Sequence, residues 1–183
     1  MADFSVSIEP ISNIRFVAKA AAITQGLSAS TLSVQTWRKW LHAEHSIIRN
    51  YLLSVELINV PYYVSVHLVR HKIGVEHFVR SQRPSSTNPV DYDRNQAPQD
   101  SPVNHLMIAN AQALINISQV RLCGKADPVT RRVWERVKLA ISEHHDPYVK
   151  VVAEVMVPRC LYRGGVCHEL KSCGRSPHYD KAE

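Results

Sequence analysis

The chain has 183 residues, 45% of them hydrophobic, and a formal charge of +6, which fits one globular domain around a single core. It opens MADFSVSIEP, with no basic stretch leading into an apolar one, and no apolar run nears the roughly 20 residues of a bilayer crossing, so a soluble, cytoplasmic protein without a membrane partner is expected. Four cysteines in such a chain read as thiols or metal ligands, not as a disulfide framework, and the basic charge favours an anionic partner without separating a polynucleotide from a phosphorylated metabolite or cofactor.

The alternation in VSIEP predicts a short strand, and Leu32, Val34, Trp37 and Leu41 recur at helical spacing, so strand, irregular connection and helix are expected. Between Ile47 and Val60, Leu53, Val55 and Leu57 alternate with Ser54, Glu56 and Ile58, a strand with one buried face that Pro61 ends. Proline is tolerated at the first helical position, so PYYVSVHLVRHK predicts a helix opening there. His67, Arg70 and His71 would then stand at i, i+3 and i+4 on one face. After Gly74, VEHFVRSQR reads as a returning strand, and RPSSTNPVDYDRNQAPQDSP as a loop by its proline, serine and aspartate content. Beyond Ser101, Val103, Leu106, Met107, Leu114 and Ile115 keep a helical period to about Cys123. Asp127-Pro128 and Asp146-Pro147 each pair an N-cap with a proline at the first helical position, giving three helices after the loop. The mix is α+β, with no internal repeat and no low-complexity block.

Chemistry concentrates in VRHKIGVEHFVRSQR, residues 69–83, where Arg70, Lys72, Arg80 and Arg83, with His67, His71 and His77, surround the single acid Glu76. Arginine forks bind phosphates bidentately, so this excess of cations points to an anion, with a solvated basic face as the bland alternative. On the helix predicted after the loop, Asn110 and Arg121 fall within about 20° of one stripe and could line one groove, while Asn116 sits about 120° away. The same spacing also fits solvated positions on an amphipathic helix. His45, His67, His71 and His77 lack HExxH-like spacing and have few nearby carboxylates, so no metal centre is expected there. Ser81 has no Gly-x-Ser-x-Gly elbow, which excludes an acyl-transfer triad. In the tail, Cys160, Cys167, His168 and Cys173 are soft ligands at a non-standard spacing, a zinc candidate whose alternative is free or packed thiols.

RHK followed by SQR resembles the signature of the flavin-dependent thymidylate synthases, the ThyX family: Arg-His-Arg, seven residues, then Ser and a nearby Arg. Here Lys72 takes the third place and residues 73–80 intervene before Ser81. Upstream, EHSIIRNYLLSVELINVPYYVSVHLVRHK is similar to the family's Gly-His-x-Ser/Thr-Pro-Phe-Glu-His stretch, which leads by a strand and a helix to the signature, with His45 on its first histidine. Downstream, NAQALINISQVRLCGKA looks like Asn-x-Arg-x-Leu-x-x-Phe/Asn-x-x-x-Arg, its polar positions taken by Asn110, Asn116 and Arg121. QAP resembles the family's Leu-Pro, and Arg94 lands on a phosphate-binding arginine. The resemblance spans residues 4–157. It implies one ThyX-like catalytic domain over 1–157, a mostly antiparallel sheet packed against helices, a shortened loop at 84–93 and a cysteine-containing tail at 158–183.

By the same resemblance, His45, Arg70, His71, Lys72, Asn110 and Asn116 would surround FAD, while His67, Ser81, Arg83, Arg94 and Arg121 would hold dUMP, with Arg121 and Ser81 at the chemistry. NADPH would reduce the flavin and methylenetetrahydrofolate would supply one carbon, giving thymidylate without a cysteine nucleophile. A guanidinium such as Arg121 beside the pyrimidine carbonyls would stabilise charge spreading onto oxygen as C5 becomes nucleophilic. Arg83 and Arg94 would fix the phosphate and so the alignment of C5. Family members are tetramers with sites built from several subunits, so a homotetramer is expected. His67, where the family tends to have glutamine, and Lys72 leave open a related flavoenzyme that adds a one-carbon unit to UMP or dCMP. From another class, a non-catalytic nucleic-acid-binding protein would use the same charge, but no DNA-reading helix is apparent and nucleic acid is not the expected partner.

Overall fold

The computed structural model describes residues 3–28, 31–83 and 91–176, with the backbone of 178–179. The first strand is β1 (Ser5–Pro10). Where the sequence predicts an irregular connection the chain forms helix α1 (Ile14–Thr24), which buries Val17, Ala18 and Ala21 and turns Phe16 and Ile23 outward. Its packed stripe, Ile14, Val17, Ala18 and Ala21, is half alanine, and the exposed Phe16 and Ile23 blur it, while alanine, which loses little entropy in a helix, sustains the element. Helix α2 (Val34–His42) starts at Ser33, whose Oγ accepts from the Thr36 N–H at 3.1 Å, and fully buries Trp37 and Leu41. A short 3-10 turn, Ser46–Asn50, leads into β2 (Leu52–Pro61), where Leu53, Val55 and Leu57 are fully buried, as their alternation predicts.

Helix α3 (Tyr62–Leu68) comes directly after, but Pro61 closes β2 and caps the helix instead of filling its first position. The predicted helical face of His67, Arg70 and His71 does not form, because α3 stops at Leu68. A turn is closed there by the His71 N–H donating to the Leu68 carbonyl at 3.0 Å, and the chain reverses through Gly74 (φ +74°) into β3 (Val75–Val79). Residues 84–90 of the shortened loop lie outside the described residues; 91–101 is irregular, as expected.

The helix predicted from Val103 to Cys123 is half strand: β4 (Pro102–Asn110) precedes helix α4 (Ala111–Arg121). Val103, His105, Met107 and Ala109 are buried in alternation, a period of two that apolar Leu106 and Ile108 on the other face and a histidine within the core conceal. Helices α5 (Pro128–Glu143) and α6 (Pro147–Lys150) begin as predicted, with Asp127 accepting from the Thr130 N–H at 2.8 Å and Asp146 from the Tyr148 N–H at 2.7 Å. Short helices α7 (Val152–Val155) and α8 (Arg159–Tyr162) add to the three predicted after the loop, and a two-residue parallel pair, β5 (Val166–Cys167) with β6 (His178–Tyr179), lies in the tail.

The main sheet has the order β1-β2-β4-β3 with every neighbouring pair antiparallel, so the fold is α+β, a four-stranded antiparallel sheet packed against helices. One row across it runs Ile8, Val55, Met107, His77. The inner face merges with Trp37, Tyr51, Leu114, Trp134 and Val137 into one core. Burying each such large side chain contributes roughly 1.5–3 kcal/mol. No helix among the described residues is long and apolar enough to cross a membrane.

Candidate functional site

Arg121, the last residue of α4, stands where the turn after α3 meets the sheet. Its Nε donates to His71 Nε2 at 3.0 Å and an Nη2 proton goes to the His67 carbonyl. Guanidinium nitrogens only donate, so His71 Nε2 must offer a lone pair and the ring is neutral, its proton on Nδ1. Burial first, then the positive charge of Arg121 and the neighbouring His77 and Arg70, pushes the His71 pKa down to about 4. Burial and Arg70 also lower that of Arg121, against the opposing pull of Asp127. Two of the five guanidinium N–H groups are thus engaged by the protein, and both Nη1 protons with one on Nη2 remain for a ligand.

Behind this pair lies a second histidine contact. His77 Nε2 donates to the His71 carbonyl at 2.7 Å, and its Nδ1 faces His105 Nε2 at 3.0 Å. Sheet register explains the approach: His77 is opposite Met107 and His105 opposite Val79, so the two histidines are diagonal neighbours on one face. With His77 donating to a carbonyl, His105 supplies the proton between the rings, which leaves its own Nδ1 buried without a partner. Burial, followed by His77, holds the His105 pKa down to about 4. On the other side, His67 Nδ1 donates to Thr130 Oγ1 at 2.8 Å, and that hydroxyl donates to Asp127 Oδ1 at 2.9 Å. The cap of α5 thereby fixes the His67 ring.

In front of these groups a cavity of about 410 Å³ is lined by His67, Arg70, Arg121, Lys125, Asp127 and Arg159, among others. A larger one, about 680 Å³, lies at the opposite end of α4 and is walled by Asn110, Asn116, Gln112, Glu44, Arg49 and Gly74. Asn110 Oδ1 accepts from the Ala113 N–H at 2.8 Å, which caps the helix. Gln112 bonds Glu44 and, at 3.3 Å, Asn116 Oδ1. The other Glu44 oxygen receives the Tyr162 hydroxyl, whose pKa is raised by burial and by that carboxylate. Glu44 itself has a φ of +46°, a strained value for a non-glycine residue.

The expected groove containing both Asn110 and Arg121 is therefore two cavities. Asn110 opens α4 and Arg121 closes it, so the helix spans between them, and Asn116 accompanies Asn110 instead. Arg70 joins His67 and Arg121, while His71 is packed behind Arg121. Ser81 borders a separate hollow of about 230 Å³ with Arg80 and Tyr92. Arg83 and Arg94 are exposed and are not among the residues lining these three cavities. Lys72 is exposed, and His45 is an exposed cap whose Nδ1 accepts from the Ile47 N–H at 3.3 Å while its ring stacks on Trp40. The zinc candidate of the tail is not assembled: no three His, Cys, Asp or Glu side chains among the described residues gather as a metal would need. Cys167 is buried and Cys173 is exposed, its sulfur against the Cα of Gly124.

Sequence reasoning missed Lys125, Arg159, Gln112, Glu44 and the His77–His105 contact. Gln112 was legible as the residue at the arginine position of Asn-x-Arg, and a histidine at an inward position of an alternating strand marks His105; Lys125 and Arg159 carry no local signal.

No family model and no curated sequence matches the chain. Solved structures do. The crystal structure of a UMP/dUMP methylase, PolB from Streptomyces cacaoi, bound with 5-Br dUMP superposes with a TM-score of 0.61 at 16% identity, covering 86% of this chain and 97% of that one. The form bound with 5-Br UMP gives 0.59 at 14% identity with the same coverage. At such identity the likeness establishes a shared fold over nearly the whole of that enzyme.

Proposed function

We propose that the protein is an enzyme that methylates C5 of a pyrimidine nucleoside monophosphate, dUMP or UMP, by a flavin-dependent reaction with methylenetetrahydrofolate as carbon donor and NADPH as reductant. The observation that carries this reading is the cationic cavity in which Arg121, held by His71 and the His67 carbonyl, offers free guanidinium protons beside Arg70, in a fold shared with a UMP/dUMP methylase. ThyX-type motifs on the same residues support it.

Arg121 is fixed before any ligand arrives, so its remaining donors need no reorganisation to meet negative charge that develops on a pyrimidine carbonyl oxygen. Neutral His71 keeps it aimed without adding a cation. His67, braced by Thr130 and Asp127, borders the same cavity and orients the base. The donor set of the larger cavity fits an isoalloxazine ring: the amides of Asn110, Asn116 and Gln112 both donate and accept, and Arg49 supplies charge for a pyrophosphate. When bound there, FAD would supply the hydride chemistry. Ser81, one of the residues assigned to dUMP, faces a different hollow from Arg121, a separation that supports a site completed between subunits of a homotetramer.

Incubation of the purified protein with FAD, NADPH, methylenetetrahydrofolate and an equimolar mixture of dUMP and UMP tests the reading by mass spectrometry. The expected result is a nucleotide heavier by one methylene unit, and its identity names the preferred sugar. Bound flavin with no heavier product from either nucleotide would sink the methylation assignment.

A further inference from the structure

The cavity before Arg121 holds more positive charge than the family resemblance accounts for. Besides Arg70 and Arg121, its wall includes Lys125 from the loop after α4 and Arg159 from the first turn of α8. Two carboxylates lie nearby, Asp127 and Glu169. Asp127 has its oxygen Oδ1 engaged by the N–H and hydroxyl of Thr130, at 2.8 and 2.9 Å, so two carboxylates, one of them committed to capping α5, stand against four cations. Arg70, Lys125 and Arg159 form no ion pair among the described residues. Four cations gathered in one hollow with only two carboxylates leave a net positive charge, and an anion with several acceptor oxygens offsets it.

Residues beyond 157 are also fixed to this place. Arg175 Nη1 donates to the Leu122 carbonyl at 2.6 Å, at the end of α4, and the Cys173 side chain packs so closely on Gly124 that an added Cβ would come within 2.8 Å of its sulfur. Tyr162, three residues after Arg159, reaches Glu44 in the wall of the other cavity. The segment therefore touches both cavities and holds one end of α4.

We propose that Lys125 and Arg159, with Arg70, form the phosphate-binding end of the Arg121 cavity, so that the C-terminal segment supplies part of the nucleotide site. Resting on the pyrimidine-nucleotide reading above, the ligand group is the 5′-phosphate monoester, with the base toward Arg121. This assigns to Arg159 and Lys125 the role that the family resemblance implies for Arg83 and Arg94, neither of which lines this wall.

The test uses the full chain and the variant Lys125→Ala/Arg159→Ala, with Lys125→Arg/Arg159→Lys as a charge-preserving control. Affinities for dUMP, UMP, deoxyuridine and FAD are measured by calorimetry at two salt concentrations, with melting temperature as a fold control. A hydrogen bond to a charged group is worth about 1.5–3 kcal/mol, so losing two weakens the monophosphates by about 100-fold or more. Deoxyuridine and FAD should bind the alanine variant as they bind the wild type, and the control should recover most of the loss. Undiminished monophosphate binding by the alanine variant overturns the assignment and leaves the functional reading intact. Loss of FAD with retention of dUMP also overturns it, since the cations would then serve a pyrophosphate. A wild-type protein that binds neither dUMP nor UMP removes the functional reading and this assignment together.

Discussion

Gly74 shows how closely a single residue sets the larger cavity. A Cβ built there would stand 2.6 Å from Asn110 Nδ2 and 2.9 Å from Oδ1, and the backbone φ is +74°. Gly74→Ala should therefore destabilise by about 1–3 kcal/mol through strain alone, and it should displace the Asn110 amide that caps α4. A urea titration checks the first effect and flavin uptake the second; a variant as stable as wild type would remove the strain argument. Arg121 illustrates the converse. Its residue type and place were legible in the sequence, but its dual duty was not, because the bonds to His71 and the His67 carbonyl join segments about fifty residues apart. Arg121→Ala consequently loses stability together with any activity, so Arg121→Lys is the sharper probe. A lysine keeps the charge but cannot span both acceptors and still face the cavity. The expected outcome is a drop in kcat/KM for the nucleotide of at least about 10-fold, the loss of roughly one positioned charged donor or more, with a smaller fall in melting temperature. Equal melting temperature and activity would assign Arg121 no part in the site.

At the scale of elements, helix α4 links the two cavities, and its placement depends on one buried polar joint. The Trp134 indole N–H of α5 donates to Ser118 Oγ at 2.9 Å, and that hydroxyl donates to the Leu114 carbonyl at 2.7 Å. Ser118→Ala should cost about 1–3 kcal/mol, the penalty of leaving a buried donor unpaired, and chemical denaturation followed by far-ultraviolet circular dichroism checks it. No measurable loss would mean that the indole finds another acceptor. Elements with large apolar residues at regular spacing, such as α2 and β2, or with Asp-Pro starts, such as α5, were readable from local chemistry. Those defined by tertiary contact were not. Alanine-rich α1 shows no stripe of large side chains, and β4 takes its buried His105 and outward Leu106 from its place between β2 and β3. The site divided less cleanly: His67, Arg70 and Arg121, picked out in the sequence, line one cavity, but Ser81 and Arg83 of the same motif do not, and Lys125 and Arg159 meet Arg121 only after the chain has closed.

For the molecule as a whole, the neutral histidines make stability depend on pH. His71 and His105 both titrate near 4 in the folded state, against an ordinary 6.5. Between those values the unfolded chain binds a proton at each histidine that the folded chain does not. Stability therefore falls as pH drops from about 6.5 to about 4, and these two groups add no further change below that. Asp127, which burial pushes up but the bonds from Thr130, the charge of His67 and the Val129 N–H together hold below its ordinary 3.8, contributes stability that is lost only at still lower pH. Urea unfolding at pH 7.5, 6 and 5 should show this decline, with net proton uptake on unfolding; a flat profile across the window would place the histidines in water.

The strand order has a consequence for synthesis. Because the sheet runs β1-β2-β4-β3, β3 leaves the ribosome with its partner still unmade, while β2 can already hold β1. The 9 residues of β4 must emerge after the loop before β3 can be recruited and His77 can meet His105. Until then Val75 and Phe78 wait on an unpaired strand, and the nascent chain carries a half-sheet whose open edge is the one β4 will occupy.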